Sequence, residues 1–282
     1  MIRLVDVLQK TETYFNSRNI DSARLDAELI LSHVLEMERL QLYMQFDRPM
    51  STDELNRLRP LVAQRGQRRP LAHVLKKKGF WTLDLTVSSD VLVPRPDTET
   101  LVEAILQLIP LEDECYIADI GCGSGCIGLS IASERPNVKV YAVDISPGAL
   151  QCTRDNIATL GLSDRVATLH GDLLNPIPID RPIDIVVSNP PYIPTDDING
   201  LDPEVRDHEP RIALDGGPSG LDFYRRLIPI AATRSRVAVG VEVGAGQSGD
   251  VTNLFVNAGL TDVQSHPDLN GHQRVVLGRV KR

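Results

Sequence analysis

Four consecutive residues, Asn189, Pro190, Pro191 and Tyr192, carry the most specific chemistry in the chain, and they follow an apolar run from Ile183 to Val187. Two successive prolines stiffen a loop: both fix φ, neither offers an N–H, and Pro190 is held extended by Pro191. The corner therefore presents acceptors. The carbonyl oxygen of Pro190 and the side-chain oxygen of Asn189 can receive the two hydrogens of an –NH2 group, while Tyr192 offers an aromatic face to a flat substituent. Asn189, Pro190 and Tyr192 are thus candidate catalytic residues, and all four residues, Pro191 included, form a candidate substrate-binding corner. Beside a bound nucleoside cofactor, such a corner suits methylation of an amino or amide nitrogen.

A place for that cofactor lies upstream, in the run Asp119, Ile120, Gly121, Cys122, Gly123, Ser124, Gly125. Its glycines permit a tight turn and close backbone approach, and a helix starting after it offers free N–H groups. Asp144 falls at the end of the next strand candidate, where a carboxylate can accept both hydroxyls of a ribose. Asp172 follows the third, within reach of an adenine edge. Each signal has a plainer reading when taken singly. A glycine turn can serve packing alone, and Cys126 stands where a dinucleotide enzyme prefers glycine or alanine. Asp144 can cap the helix opening at Pro147, and Asp172 can be a turn residue. Their placement after successive strands favours one shared ligand.

The elements that must position these residues follow from periodicity. Apolar residues recur at three- and four-residue spacing from Leu4 to Gln64, which predicts several short helices with Asp21 and Ser51 as N-caps; Ser51 and Glu54 have capping-box spacing. From Gly79 to Val93 the pattern alternates, which predicts the strands of a hairpin. Beyond Asp97 strands are expected at 116–120, 138–143, 166–170, 183–187, 237–243, 263–266 and 274–277. Helices are expected at 98–108, 125–134, 147–160, 221–233 and 246–258. This alternation implies a mostly parallel α/β sheet covered on both faces, whose last two strands pair antiparallel because 267–273 has no room for a helix. The domains expected are residues 1–75, a helical bundle; 76–94, a β-hairpin connector; and 95–282, the catalytic domain.

Composition excludes several classes. The chain has 282 residues, 42% of them hydrophobic, and no apolar run long enough for a membrane helix; Met1 to Lys10 reads as amphipathic rather than as a signal peptide. A cytoplasmic protein without membrane attachment is expected. Cys115, Cys122, Cys126 and Cys152 read as buried small side chains, and no metal is expected because no further His or Cys pair completes a ligand set. The formal charge is −8, yet eight basic residues and no acidic one lie between Arg57 and Lys78. That stretch could be a solvated face or could steer an acidic partner. The overall acidity argues against direct nucleic-acid binding.

With these motifs in place the chain resembles the bacterial release factor glutamine methyltransferases. Similar stretches run over nearly all of it: Val93 to Glu99 (Val, Pro, Arg, Pro, Asp, Thr, Glu), the glycine turn, Asn189 to Tyr192, Val205 to Gly217 and Glu242 to Gln247. The sister family that acts on a ribosomal protein usually reads Arg-Ser-Pro where this chain has Arg95, Pro96 and Asp97. The resemblance implies a class I methyltransferase (Rossmann-like) seven-stranded sheet, with a small N-terminal helical domain that helps dock the substrate protein and a β-hairpin connector. It implies S-adenosylmethionine as cofactor and S-adenosylhomocysteine as product, held by Gly121, Cys122, Gly123, Ser124, Gly125, Asp144, Asp172 and Leu173, with Asn189 between cofactor and substrate. Leu173 replaces an aromatic found in some relatives, so aliphatic packing is expected there. The implied substrate is the glutamine of the Gly-Gly-Gln loop in peptide chain release factors 1 and 2, and the implied state is a monomer. Arg95, Glu99 and Glu242 could be structural ion pairs or substrate contacts, and His208 is expected to order a loop rather than act as a base.

Overall fold

The computed structural model describes residues 2–281; Met1 and Arg282, at the ends of the first and last expected domains, lie outside the described residues. The chain forms two compact units. One contains the chain up to Lys76 together with Asp202–His208, and the other contains Lys77–Leu201 and everything from Glu209 onward.

The first unit is helical: α1 (Leu4–Asn16), α2 (Ala23–Leu35), α3 (Arg39–Met44), α4 (Thr52–Gly66) and α5 (Leu71–Leu75). Their three- and four-spaced apolar faces meet in one core that includes Leu4, Leu8, Phe15, Ile30, Leu31 and Leu58. Ser51 caps α4 in a reciprocal box: Glu54 N donates to Ser51 Oγ at 3.2 Å, and Ser51 N donates to Glu54 Oε2 at 2.8 Å. The other expected cap is displaced by one residue. Ser22, not Asp21, is the N-cap of α2, and it makes no side-chain cap bond. The basic stretch also divides. Arg65 is buried and reaches Asp26 at 2.6 Å and Glu204 at 3.0 Å, while Arg68 pairs with Glu204 at 2.6 Å. With Arg57 beside Asp53 at 3.3 Å, three of the eight cations are therefore ion-paired inside the helical unit.

The second unit begins with an antiparallel hairpin, β1 (Lys77–Phe80) and β2 (Leu83–Thr86). The predicted strand pattern continued to Val93, but no ladder extends beyond Thr86. Val87, Val91 and Val93 are buried beyond the end of the ladder, so their alternation marks packing in the core. The unit continues with α6 (Glu99–Leu106), β3 (Cys115–Ile120), α7 (Cys126–Glu134), β4 (Val138–Asp144), α8 (Pro147–Leu160), β5 (Val166–His170) and β6 (Ile185–Ser188). After α9 (Pro203–Arg206), which belongs to the helical unit, come α10 (Asp222–Arg234), β7 (Ala238–Glu242), α11 (Ser248–Asn257), β8 (Thr261–Pro267) and β9 (Gln273–Arg279).

The sheet order is β5-β4-β3-β6-β7-β9-β8; the first five strands are parallel and the last two antiparallel, as the short 267–273 link predicts. Successive side chains face opposite ways, so each strand feeds two cores. Ile117, Val140, Ile185 and Leu277 pack with α6, α7 and α8, while Ala118, Val186, Val239 and Val276 pack with α10 and α11. Chain direction across the sheet reverses at β3, whose neighbours are β4 and β6. Ligands bind parallel sheets at such a switch point, beyond the carboxyl ends of the strands.

Candidate active site

Beyond β3 the glycine turn folds back over the end of β4. Gly121, Gly123 and Gly125 have φ of 69°, 58° and 82°, a left-handed region open at little cost only to glycine. The backbone N–H groups of Gly121 and Cys122 donate to Val143 O at 2.9 and 3.0 Å. Asp144 locks the turn: Gly123 N donates to its Oδ2 and Ser146 N to its Oδ1, each at 2.9 Å. Its carboxylate is thus fixed in orientation, with further lone pairs available. Beneath the turn Asp119 accepts from Gly128 N at 3.0 Å. Burial is the main reason its pKa is pushed up to about 7.

The turn forms one wall of a cavity of about 560 Å³. Gly121 to Ser124, Asp144, Asp172, Leu173, Asn189 and Pro191 all line it. Gly125, Pro190 and Tyr192 are not on the wall. Gly125 supports it from below, since a Cβ there would come within 2.8 Å of Leu129 Cδ1 and 3.0 Å of Thr153 Cγ2. Leu173 is buried in a left-handed conformation with φ of 52°. Asp172 pairs with Arg226 at the cavity wall, a partner that the sequence reading did not anticipate.

The acceptor corner is built from several directions. Ser188 Oγ donates to Ile120 O at 2.6 Å, tying the end of β6 to β3. Asn189 Nδ2 donates to Thr98 Oγ1 at 3.1 Å, while Asn189 Oδ1 is buried without a hydrogen-bond partner. Pro190 is buried. Tyr192 turns its hydroxyl to Glu242 Oε1 at 3.4 Å, and its backbone oxygen accepts from Gln247 Nε2 at 2.8 Å. Its ring braces the corner from behind instead of facing the cavity. The segment after Ala213 runs alongside: Ile193 bridges Asp215, and Thr195 Oγ1 donates to Asp215 Oδ1 at 2.6 Å. Gly216 leaves no room for a side chain, because a Cβ would stand 2.8 Å from Pro191 O and from Gly220 Cα.

The stretch from Arg95 to Glu99 fastens four parts of the unit. Arg95 Nη2 donates to both oxygens of Glu209 at 2.9 and 2.8 Å, Asp97 pairs with Arg274 at 3.1 Å, Thr98 accepts from Asn189, and Glu99 Oε1 accepts from Trp81 N at 2.8 Å. Arg95, Glu99 and Glu242 therefore make protein contacts here. His208 Nε2 lies 3.0 Å from Gln67 O, which fits loop ordering within the helical unit. Sequence reasoning assigned Thr98 no separate role; its signal was the Arg-Pro-Asp-Thr-Glu stretch itself.

Burial dominates the titratable groups around the corner. It pushes Glu242 up to about 7, against the opposing influence of Thr98, Arg274 and Tyr192. The same cause raises the buried thiol of Cys122, and takes Cys152 to about 11, so neither is an activated nucleophile. All four cysteines are free. Among the described residues no helix is long and apolar enough to cross a membrane.

A family model described as PrmC N-terminal domain matches residues 6–75, and one described as Methyltransferase small domain matches residues 96–199. The release factor glutamine methyltransferase of Geobacter sulfurreducens is 42% identical over 276 residues, 97% of this chain and 95% of that protein. Its namesake in Caulobacter vibrioides is 40% identical over 279 residues, covering 98% and 96%. A solved methyltransferase from Pyrococcus furiosus superposes with a TM-score of 0.53 at 16% identity, covering 78% of this chain and 100% of that one; this likeness concerns the fold alone.

Proposed function

The chain belongs to the release factor glutamine methyltransferases, and from that membership we propose that its acceptor corner receives the glutamine of the Gly-Gly-Gln loop in peptide chain release factors 1 and 2. The observation that carries the reading is the divided amide of Asn189. Its nitrogen is spent on Thr98, and its buried oxygen is left as an unfilled acceptor. An –NH2 group is what such an acceptor lacks.

The residues present fit S-adenosylmethionine, the cofactor of this family and fold. Gly121 and Gly123 line the cavity, and a Cβ added at either would meet no protein atom within 4 Å, so the turn leaves a cradle that a ligand can fill. Asp144, held by two backbone donors, is placed to accept ribose hydroxyls, and Leu173 supplies an apolar wall. When bound, the cofactor supplies an electrophilic methyl group and leaves as S-adenosylhomocysteine. The chain's own residues do the rest. A carboxamide nitrogen is a poor nucleophile because its lone pair is delocalised into the carbonyl. Acceptance of one of its hydrogens by Asn189 Oδ1 orients the nitrogen and favours the more positive, pyramidal form it takes in the transition state. No strong general base is required, because the methylated amide nitrogen is strongly acidic and gives up one proton to water during or after the displacement; alignment of two ordered partners supplies most of the acceleration.

The helical unit is proposed to dock the release factor, supported by the exposed Arg59, which forms none of the ion pairs that engage Arg57, Arg65 and Arg68. We place the reaction in the cytoplasm and on a monomer. Incubation with labelled S-adenosylmethionine and, in parallel, release factor, ribosomal protein, DNA and RNA tests the assignment. Label on the release-factor glutamine alone is the expected result. Label on a nucleobase, or none on release factor, would overturn it.

A further inference from the structure

Beyond the ends of β4 and β5 two carboxylates line the same cavity, and the chain orients them by different means. Asp144 is held by the backbone N–H groups of Gly123 and Ser146. The backbone of Asp172 is fixed alongside: Gly171 N donates to Asp144 O at 3.0 Å, and buried Leu173 follows with a φ of 52°. Its carboxylate, by contrast, has one hydrogen-bonded partner among the described residues, Arg226 Nη2, which donates to Oδ2. Arg226 belongs to α10 and stands one helical turn after Phe223, and both line the cavity. A side chain from a distant helix thus sets the direction of this carboxylate.

Position along the sheet indicates what that carboxylate meets. Asn189 follows β6 and Asp172 follows β5, and the order β5-β4-β3-β6 puts three strand spacings between them, about 14 Å. A nucleoside cofactor with its methyl end at Asn189 and its ribose at Asp144 has its base at Asp172. The edge of adenine presents a 6-amino donor, and a carboxylate can only accept. With Oδ2 engaged by Arg226, Oδ1 is the atom left for the ligand.

We propose that Arg226 is a positioning residue for base recognition: by tying down Oδ2 of Asp172 it turns Oδ1 toward the 6-amino group, and so makes the cavity selective for a 6-aminopurine over a 6-oxopurine. This inference rests on the S-adenosylmethionine reading of the cavity. The pair is partly open, with Asp172 38% and Arg226 55% exposed, so it adds little to stability and acts instead on ligand choice. A 6-oxo group sets an oxygen against the fixed carboxylate oxygen, acceptor against acceptor, and is rejected. Once Arg226 is removed the carboxylate turns freely. Adenine then loses an ordered partner, and the oxopurine loses a fixed repulsion.

The test is calorimetric and needs no turnover. S-adenosylhomocysteine and S-inosylhomocysteine, which differ by a 6-oxo group in place of the 6-amino group, are titrated into wild type, R226A, R226K, D172N and the double variant R226A/D172N. Wild type should bind the adenosyl ligand about tenfold or more tightly than the inosyl ligand, the order of one hydrogen bond to a charged group. R226A should weaken the adenosyl ligand about three- to tenfold and leave the inosyl ligand within about twofold, so that the preference shrinks. R226K should restore most of it, because the contact is made by one nitrogen and a lysine ammonium can reproduce it. D172N should abolish the preference, since an amide can turn its –NH2 toward a 6-oxo group, and on that background R226A should change neither Kd further. An arginine that served only to hold α10 in place would weaken both ligands alike. Equal losses for the two ligands, an unchanged preference in R226A, or an R226A effect that persists in D172N would overturn the inference alone. A wild type that binds neither ligand overturns the cofactor reading and this inference with it.

Discussion

In the proposed reaction Asn189 is the residue on which substrate recognition turns, since its oxygen is a buried acceptor without a hydrogen-bond partner. Asn189→Ala should lower kcat on the order of 100-fold, the usual cost of one preorganised polar contact to a reacting group. The Kd for S-adenosylmethionine, measured by calorimetry, should change little; an equal loss of cofactor affinity would contradict the assignment. Two glycines of the turn make a sharper comparison. Both are left-handed, but an added Cβ meets nothing at Gly123 and meets Leu129 and Thr153 at Gly125. Each alanine substitution carries roughly 1–2 kcal/mol of backbone strain. Gly125→Ala adds a steric clash and should show chiefly as a lower melting temperature. Gly123→Ala should show chiefly as weaker cofactor binding, because its methyl group enters the cavity. Equal behaviour in melting and calorimetry would refute the division between a cradle glycine and a supporting one.

Arg95 shows how elements distant in sequence are fastened into one site. Its guanidinium bonds both oxygens of Glu209, whose side chain is fully buried, while Arg95 itself remains 38% exposed. Arg95→Ala would leave that carboxylate buried and unpaired. Allowing for the partial exposure of the arginine, the loss should be about 1–3 kcal/mol in denaturant unfolding. Glu209→Gln, which removes the charge together with the need for a partner, should cost less. The elements themselves were largely legible in the sequence. Apolar runs such as Ile185–Ser188 and Ala238–Glu242 are buried on both faces, and helices such as Pro147–Leu160 carry their own start signal, so local pattern and final structure agree. The 87–93 segment misled because burial beyond the end of a ladder leaves the same alternation as the ladder itself. The glycine turn and Asn189 were legible because backbone geometry and an unusual double proline announce themselves locally. Arg95 with Glu209, Asp172 with Arg226, and Thr98 with Asn189 were not, since each is a pairing across 54 to 114 positions that no local period encodes.

At the scale of the molecule, two buried carboxyls make stability depend on pH in the opposite sense to ordinary ion-paired carboxylates. Asp119 and Glu242 are each pushed up to about 7, chiefly by burial, from ordinary carboxyl values of 3.8 and 4.5. A raised carboxyl pKa means that the folded state holds a proton the unfolded chain has released. The contribution is therefore full below the unfolded value and is lost as pH rises from about 4 to about 7, an amount of roughly 3 to 4 kcal/mol per group. The melting temperature of Glu242→Gln minus that of wild type should accordingly increase between pH 5 and pH 8; a constant difference would remove the carboxyl from this account. The helical unit has a consequence of another kind. It includes Asp202–His208, whose Glu204 answers Arg65 and Arg68, so the backbone passes from one unit to the other at 76/77, 201/202 and 208/209. A chimera made by exchanging only the first 76 residues would transplant two arginines without their glutamate. Recombination within such a family must carry both stretches together, and the helical portion is inherited as a two-piece unit rather than as a detachable leader.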